Sequence, residues 1–140
     1  MDVVVDASVA FKWFVTEADS EAAVSVLRNH NVVVPDVLLA ECRNAALTHV
    51  RRGTISIEQA RQVERALEAL QLRTLASEPF LTQAFSIALE LGHPIYDCIY
   101  LAAAIDSDRI LVTADARFAA KVQRIGGAPD RIKLLADLGA

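Results

Sequence analysis

The sequence predicts an α/β fold, a parallel sheet of about four or five strands between two layers of helices (α/β/α), on three observations. Short continuous apolar runs, Val3-Val4-Val5, Val32-Val33-Val34 and Ile110-Leu111-Val112, have the character of strands buried on both faces. Helical segments of roughly 10 to 15 residues separate them, the spacing of βαβ units. No hairpin signal lies between the runs. A chain of 140 residues is long enough for one domain that buries about two thirds of its unfolded surface. With no linker, repeat or low-complexity stretch, residues 1–140 read as a single domain. The order of the strands is not legible at this stage.

Each element has a local reason. The first strand, Val3 to Val5, stops at Asp6, and Ser8 is placed to cap a short helix over the apolar stretch Val9 to Val15. Glu21 to Arg28 reads as a helix with Ala22, Ala23, Val26 and Leu27 inward, broken by Asn29-His30-Asn31. The second strand is stopped by Pro35, and Asp36 is expected to cap a helix over Val37 to Arg52, ended by Gly53. Its apolar stripe is Leu38, Leu39, Cys42, Ala45, Ala46 and Val50. Ser56-Ile57-Glu58-Gln59 has the S-x-x-Q capping-box pattern and opens a helix to about Gln71, with Ile57, Ala60, Val63, Leu67 and Leu70 inward. Leu72 to Leu75 is a weak third strand. Glu78-Pro79 starts a helix that Gly92 stops. Tyr96 to Ile105 is nearly all apolar and predicts a helix buried against the sheet, with Asp97 in its first turn. After the strand Arg109 to Thr113, Asp115 leads into a helix through about Ile125, ended by Gly126-Gly127, and Ile132 to Leu135 suggests a short edge strand.

Composition narrows the function. No apolar run approaches the ~18 to 20 residues of a membrane span, and the N-terminus enters a strand at once without a signal-peptide pattern, so a cytoplasmic protein is expected. Cys42 and Cys98 have no metal-ligand spacing and read as buried thiols. The net charge of −4 argues against coating nucleic acid by bulk positive charge. Setting aside four acids as one site leaves 14 acidic against 14 basic residues, so contact with a nucleic acid through a few local cations is compatible with the sequence.

Those four acids are Asp6, Glu41, Asp97 and Asp115. Asp6 ends one strand and Asp115 lies just past another, while Glu41 and Asp97 sit in the first or second turns of helices. Strand ends and helix starts share the carboxyl rim of a parallel sheet, where ligands of such folds sit. Carboxylates gathered there repel each other unless a cation joins them. Oxygen donors favour Mg²⁺ or Mn²⁺, with Asp6, Asp97 and Asp115 as expected ligands. A metal so held activates water and stabilises charge in phosphodiester hydrolysis without a protein nucleophile. Ser8 and Thr113 are placed to hydrogen-bond the carboxylates, and Asn44, three residues past Glu41, shares its helix face. Lys12 and Arg117, near Asp6 and Asp115 in sequence, are candidates for substrate phosphate. His30, His49 and His93 do not cluster in sequence and receive no chemistry. Trp13, Phe11 and Phe14 read as core.

Val-Val-Asp6-Ala-Ser8, Glu41-Cys42-Arg43-Asn44, Tyr96-Asp97-Cys-Ile-Tyr-Leu-Ala-Ala-Ala and Val-Thr113-Ala-Asp115-Ala-Arg-Phe118 together resemble the four acidic motifs of the PIN-domain ribonucleases, in particular the VapC toxins of bacterial toxin–antitoxin pairs. The resemblance spans essentially the whole chain, with Asn44 matching the family's amide more loosely than the acids match. It implies a PIN-like fold and a Mg²⁺- or Mn²⁺-dependent endoribonuclease with Asp6, Glu41, Asp97 and Asp115 around the metal. It also implies a homodimer neutralised by an antitoxin protein whose tail occupies the active groove, and a structured RNA substrate such as tRNA or a ribosomal RNA loop. Two rivals remain. An aspartyl-phosphate enzyme would also place Asp6 at a strand end, but Ser8 stands where the dehalogenase-like phosphatases carry a second Asp. A non-catalytic RNA- or protein-binding module would be marked by loss of one or more of the acids, and all four are present.

Overall fold

The computed structural model describes residues 1–124 and 128–138. The strands are β1 (Asp2–Val5), β2 (Asn31–Pro35), β3 (Arg73–Leu75), β4 (Ile110–Thr113) and β5 (Ile132–Leu134). Among the described residues they form one five-stranded sheet, every pairing parallel, in the order β3-β2-β1-β4-β5. The helices are α1 (Ala7–Ala10), α2 (Ser20–Asn29), α3 (Val37–Arg51), α4 (Ile57–Leu70), α5 (Leu81–Leu91), α6 (Ile95–Asp106), α7 (Ala116–Arg124) and α8 (Leu135–Leu138). They cover the sheet on both faces, which gives the three-layer α/β/α architecture. α6 lies across β1, β2 and β4 with α5 packed on it, and its residues Cys98 to Ala104 are all buried. α2 packs on β2 and α8 on β4, and these two helices touch.

The strand order explains where a site can form. From β1 the chain steps outward to β2 and β3, then crosses back to lay β4 and β5 on the other side of β1. The loops after β1 and β4 therefore diverge, opening a crevice at the topological switch point. Val3, Val4 and Val5 are fully buried at the centre of the sheet, so the position of Asp6 is fixed by the core beneath it.

Several local expectations are corrected. Asp6, rather than Ser8, caps α1: its carboxylate accepts from the Val9 amide at 3.3 Å, and a single-turn 3-10 helix (Phe11–Trp13) follows. Asp36 makes no side-chain cap on α3, because its backbone is helical and its carboxylate turns to Ser77, accepting from the hydroxyl at 2.6 Å and the amide at 3.1 Å. Ile57 is 65% exposed although it falls on the stripe of α4: it sits in the first turn, on the open side of a groove lined by Leu47 and Val50 of α3. The helix expected from Glu78-Pro79 begins with a 3-10 turn (Glu78–Phe80). The short α8 has no sequence signal of its own. The capping box is formed: Ser56 Oγ accepts from the Gln59 amide at 3.0 Å, and the Gln59 side chain accepts from the Ser56 amide at 2.7 Å. The expected end of α7 at Ile125 to Gly127 lies outside the described residues.

Candidate active site

Asp6 occupies the crevice between β1 and β4, only 3% exposed. Ser8 Oγ donates to its Oδ1 at 2.5 Å and Thr113 Oγ1 donates to its Oδ2. The same hydroxyls accept from the loop after β4, Ser8 from the Ala114 amide at 3.0 Å and Thr113 from the Asp115 amide at 3.1 Å. Both hydroxyl protons are thereby aimed at the carboxylate, and the two strand ends are clasped around it. Burial still dominates, pushing the Asp6 pKa up to about 6 against the hydrogen bonds from Ser8 and Thr113, and the charge of Asp97 adds to the rise.

Glu41 and Asp97 come from α3 and α6, which face each other at this rim. The Tyr100 hydroxyl, on α6, donates to Glu41 Oε1. Burial raises the Glu41 pKa in spite of that bond, and Asp97 again contributes. Asp97 lies in the first turn of α6, with its Oδ2 2.6 Å from His93 Nε2, and His93 Nδ1 is 3.1 Å from Lys121 Nζ. Asp115 opens α7, its Oδ1 accepting from the Phe118 amide at 3.0 Å, and it lines a 480 Å³ cavity with Ser8, Lys12 and His49.

Asp6, Glu41 and Asp97 thus share one electrostatic environment, and the backbone of Asp115 is tied to it by its amide on Thr113 Oγ1. Asn44 is exposed and makes no hydrogen bond to any of the four acids. The Lys12 ammonium is taken up by the Ala18 carbonyl at 3.0 Å, with Glu17 at 3.9 Å, while Arg117 is exposed. The two thiols are buried and pushed up by burial, Cys42 to about 12 and Cys98 to about 11, which makes them inert. Sequence reading missed Tyr100, His93 and Lys121. Tyr100 carries a detectable signal, following Asp97 by three residues on the same helix, the spacing that groups side chains on one face, and His93 lies just ahead of that helix, four residues before Asp97. Lys121 arrives from α7, and no spacing announces it.

Among the described residues, no three His, Cys, Asp or Glu side chains stand close enough together to hold a metal ion between them. The donor set nevertheless suits a hard cation. Mg²⁺ keeps most of its waters and needs only one or two carboxylates. Here burial favours the neutral forms of Asp6 and Glu41, and the charge of Asp97 adds a repulsion at both that a divalent cation relieves.

Fold and rim together define a class: a parallel α/β domain with an oxygen-lined acidic crevice at the switch point of its sheet. Residues 3–123 match the PIN domain family. The chain belongs to that family, among its VapC-type ribonucleases. It is 32% identical over 126 residues to Ribonuclease VapC3 of Pyrobaculum aerophilum, a match that covers 86% of this chain and 95% of the relative. Its fold is similar to that of Mycobacterium tuberculosis VapC20, a sarcin-ricin loop cleaving toxin, with a TM-score of 0.65, 15% identity, and 85% and 94% of the two chains covered. It is also similar to a chain of VapBC2 from Rickettsia felis bound to a DNA fragment from their promoter, with a TM-score of 0.63, 12% identity, and 96% and 98% covered. No helix among the described residues is long and apolar enough to cross a membrane.

Proposed function

We propose that this chain is a Mg²⁺- or Mn²⁺-dependent endoribonuclease, the toxin of a toxin–antitoxin pair, which hydrolyses phosphodiester bonds in a structured RNA such as tRNA or a ribosomal RNA loop. The observation that carries this reading is the gathering of Asp6, Glu41 and Asp97, each oriented by its own hydrogen-bond donor, with Asp115 tied in through Thr113. A ribonuclease relative at 32% identity supports the substrate class, and the sarcin-ricin loop cleaved by VapC20 supports a ribosomal loop.

Asp6 and Asp97, with Asp115 across the Thr113 clasp, would hold the cation. When bound, it supplies activated water and neutralises the charge that builds on the phosphate during in-line displacement. The protein's part is positioning and proton transfer. Asp6 has both oxygens committed to donors, so it orients and does not move protons. Glu41 is engaged at Oε1 only and burial raises its pKa, so its other oxygen is suited to take the proton of the attacking water. Arg117, exposed beside Asp115, is better free than Lys12 to meet a substrate phosphate.

Two surfaces fit the expected partners. Leu81, Phe85 and Leu89 form an exposed stripe along α5, at the spacing of successive turns, with Tyr96 also exposed at the start of the neighbouring α6. This is the face we assign to a second copy in a homodimer. A groove of 360 Å³ between α3 and α4, with exposed Leu47 and Ile57 and with Arg61 and Glu64 at its edge, suits an amphipathic helix of an antitoxin. The similarity to a chain of the VapBC2 complex supports such a partner.

The test is cleavage of total cellular RNA by the purified, antitoxin-free protein with Mn²⁺. Discrete fragments that vanish with EDTA and in Asp6→Asn are expected. Intact RNA in every lane, from folded protein, would overturn the nuclease reading and favour a binding module.

A further inference from the structure

His93 and Lys121 are outside the four acids and have no role so far, yet they form a hydrogen-bonded chain that ends on Asp97. Its hydrogen bonds have one consistent polarity. A lysine ammonium has donors only, so Nδ1 of His93 must accept from it at 3.1 Å. The ring proton then sits on Nε2, which donates to Asp97 Oδ2 at 2.6 Å. The ring itself is held: it packs against Phe118 with centroids 4.7 Å apart, its side chain is 11% exposed, and Gly92 (φ 61°) turns the chain so that His93 precedes α6 by two residues. Phe118 and Lys121 are one turn apart on α7, the helix that Asp115 opens, so the same helix that carries one acid fixes the donor to another.

We propose that His93 is a positioning residue for Asp97, locked by Lys121 as the Nε2–H tautomer so that Oδ2 is held and Oδ1 would be left to bind a cation. This rests on the reading that Asp97 binds a divalent cation. The device is the one that orients ligating carboxylates elsewhere, an outer donor whose loss typically costs about 10- to 100-fold in metal affinity. Sequence proximity alone would not reveal it, since the lock comes from a residue 28 positions away.

The experiment joins two readouts on the intact chain. ¹⁵N NMR of the histidine rings at neutral pH is expected to show His93 protonated at Nε2 and unprotonated at Nδ1, and Lys121→Met to let the other tautomer appear. Calorimetric titration with Mn²⁺ is expected to weaken about 10- to 100-fold in His93→Phe, which keeps a ring against Phe118, and to recover most of that in His93→Gln, which restores an N–H donor. Melting curves confirm that each variant is folded. Protonation of wild-type His93 at Nδ1, or His93→Phe binding Mn²⁺ as tightly as wild type, overturns the inference alone. A wild type that takes up no Mn²⁺ overturns the cation reading and this role with it.

Discussion

Asp6 is a buried carboxylate with three donors and a pKa of about 6, so its charge is tolerated at a cost. The folded pKa lies above the ordinary 3.8, so the folded state binds the proton more tightly than the unfolded chain between those values. Stability contributed by the protonated form is present below pH 4 and is lost as pH rises to about 6. In metal-free protein, Asp6→Asn is therefore expected to match wild type near pH 4 and to become more stable by about 2 to 3 kcal/mol at pH 7, read by urea unfolding at each pH. Equal pH profiles for the two would show that Asp6 is not buried as described. Thr113→Val removes a donor while leaving the carboxylate in place, and a loss of about 1 to 3 kcal/mol at pH 7 is expected from the same measurement. At this scale the acids were legible because each lies at a strand end or in the first two turns of a helix. Their donors were less so: Ser8 and Thr113 lie beside the acids in the sequence, whereas the hydroxyl of Tyr100 reaches Glu41 across 59 positions.

Elements were legible where local chemistry decides them. The box at Ser56 and Gln59 is a local device, and Ser56→Ala is expected to cost about 1 kcal/mol in thermal or urea unfolding. A neutral result would mean that α4 is held by packing of Val63 and Leu67 alone. Asp36 was misread as a cap because its partner, Ser77, is brought alongside by the pairing of β2 with β3, a tertiary event. Ile57 was misread as core for a related reason, since periodicity gives a face and not what stands opposite it. α6 combines both kinds of information. Its apolar run predicted burial, and the polar exceptions on it, Asp97 and Tyr100, mark where it meets the crevice.

For the whole molecule, the decisive fact is the strand order, which places β1 beside β4 and so puts Asp6 and Thr113 together from positions 107 apart. Hydrophobic runs specify strands but not their neighbours, which is why the rim was predicted and the switch point was not. The unpartnered stripe of α5 belongs to this scale too. Phe85 and Leu89 are 57% and 69% exposed, and Leu89→Glu is expected to convert a dimer to a monomer in sedimentation experiments while leaving the fold intact. A wild-type monomer would remove the dimer from the account. The central claim, water-driven hydrolysis of RNA at a cation held by Asp6 and its neighbours, is tested most directly by the chemistry of the cut ends. RNA cleaved with Mn²⁺ should carry a phosphate monoester on one side and a free hydroxyl on the other, and Asp6→Asn should give neither. A 2′,3′-cyclic phosphate, or cutting that persists in EDTA, would mean that the RNA's own hydroxyl attacks and that the acidic crevice does not do this chemistry.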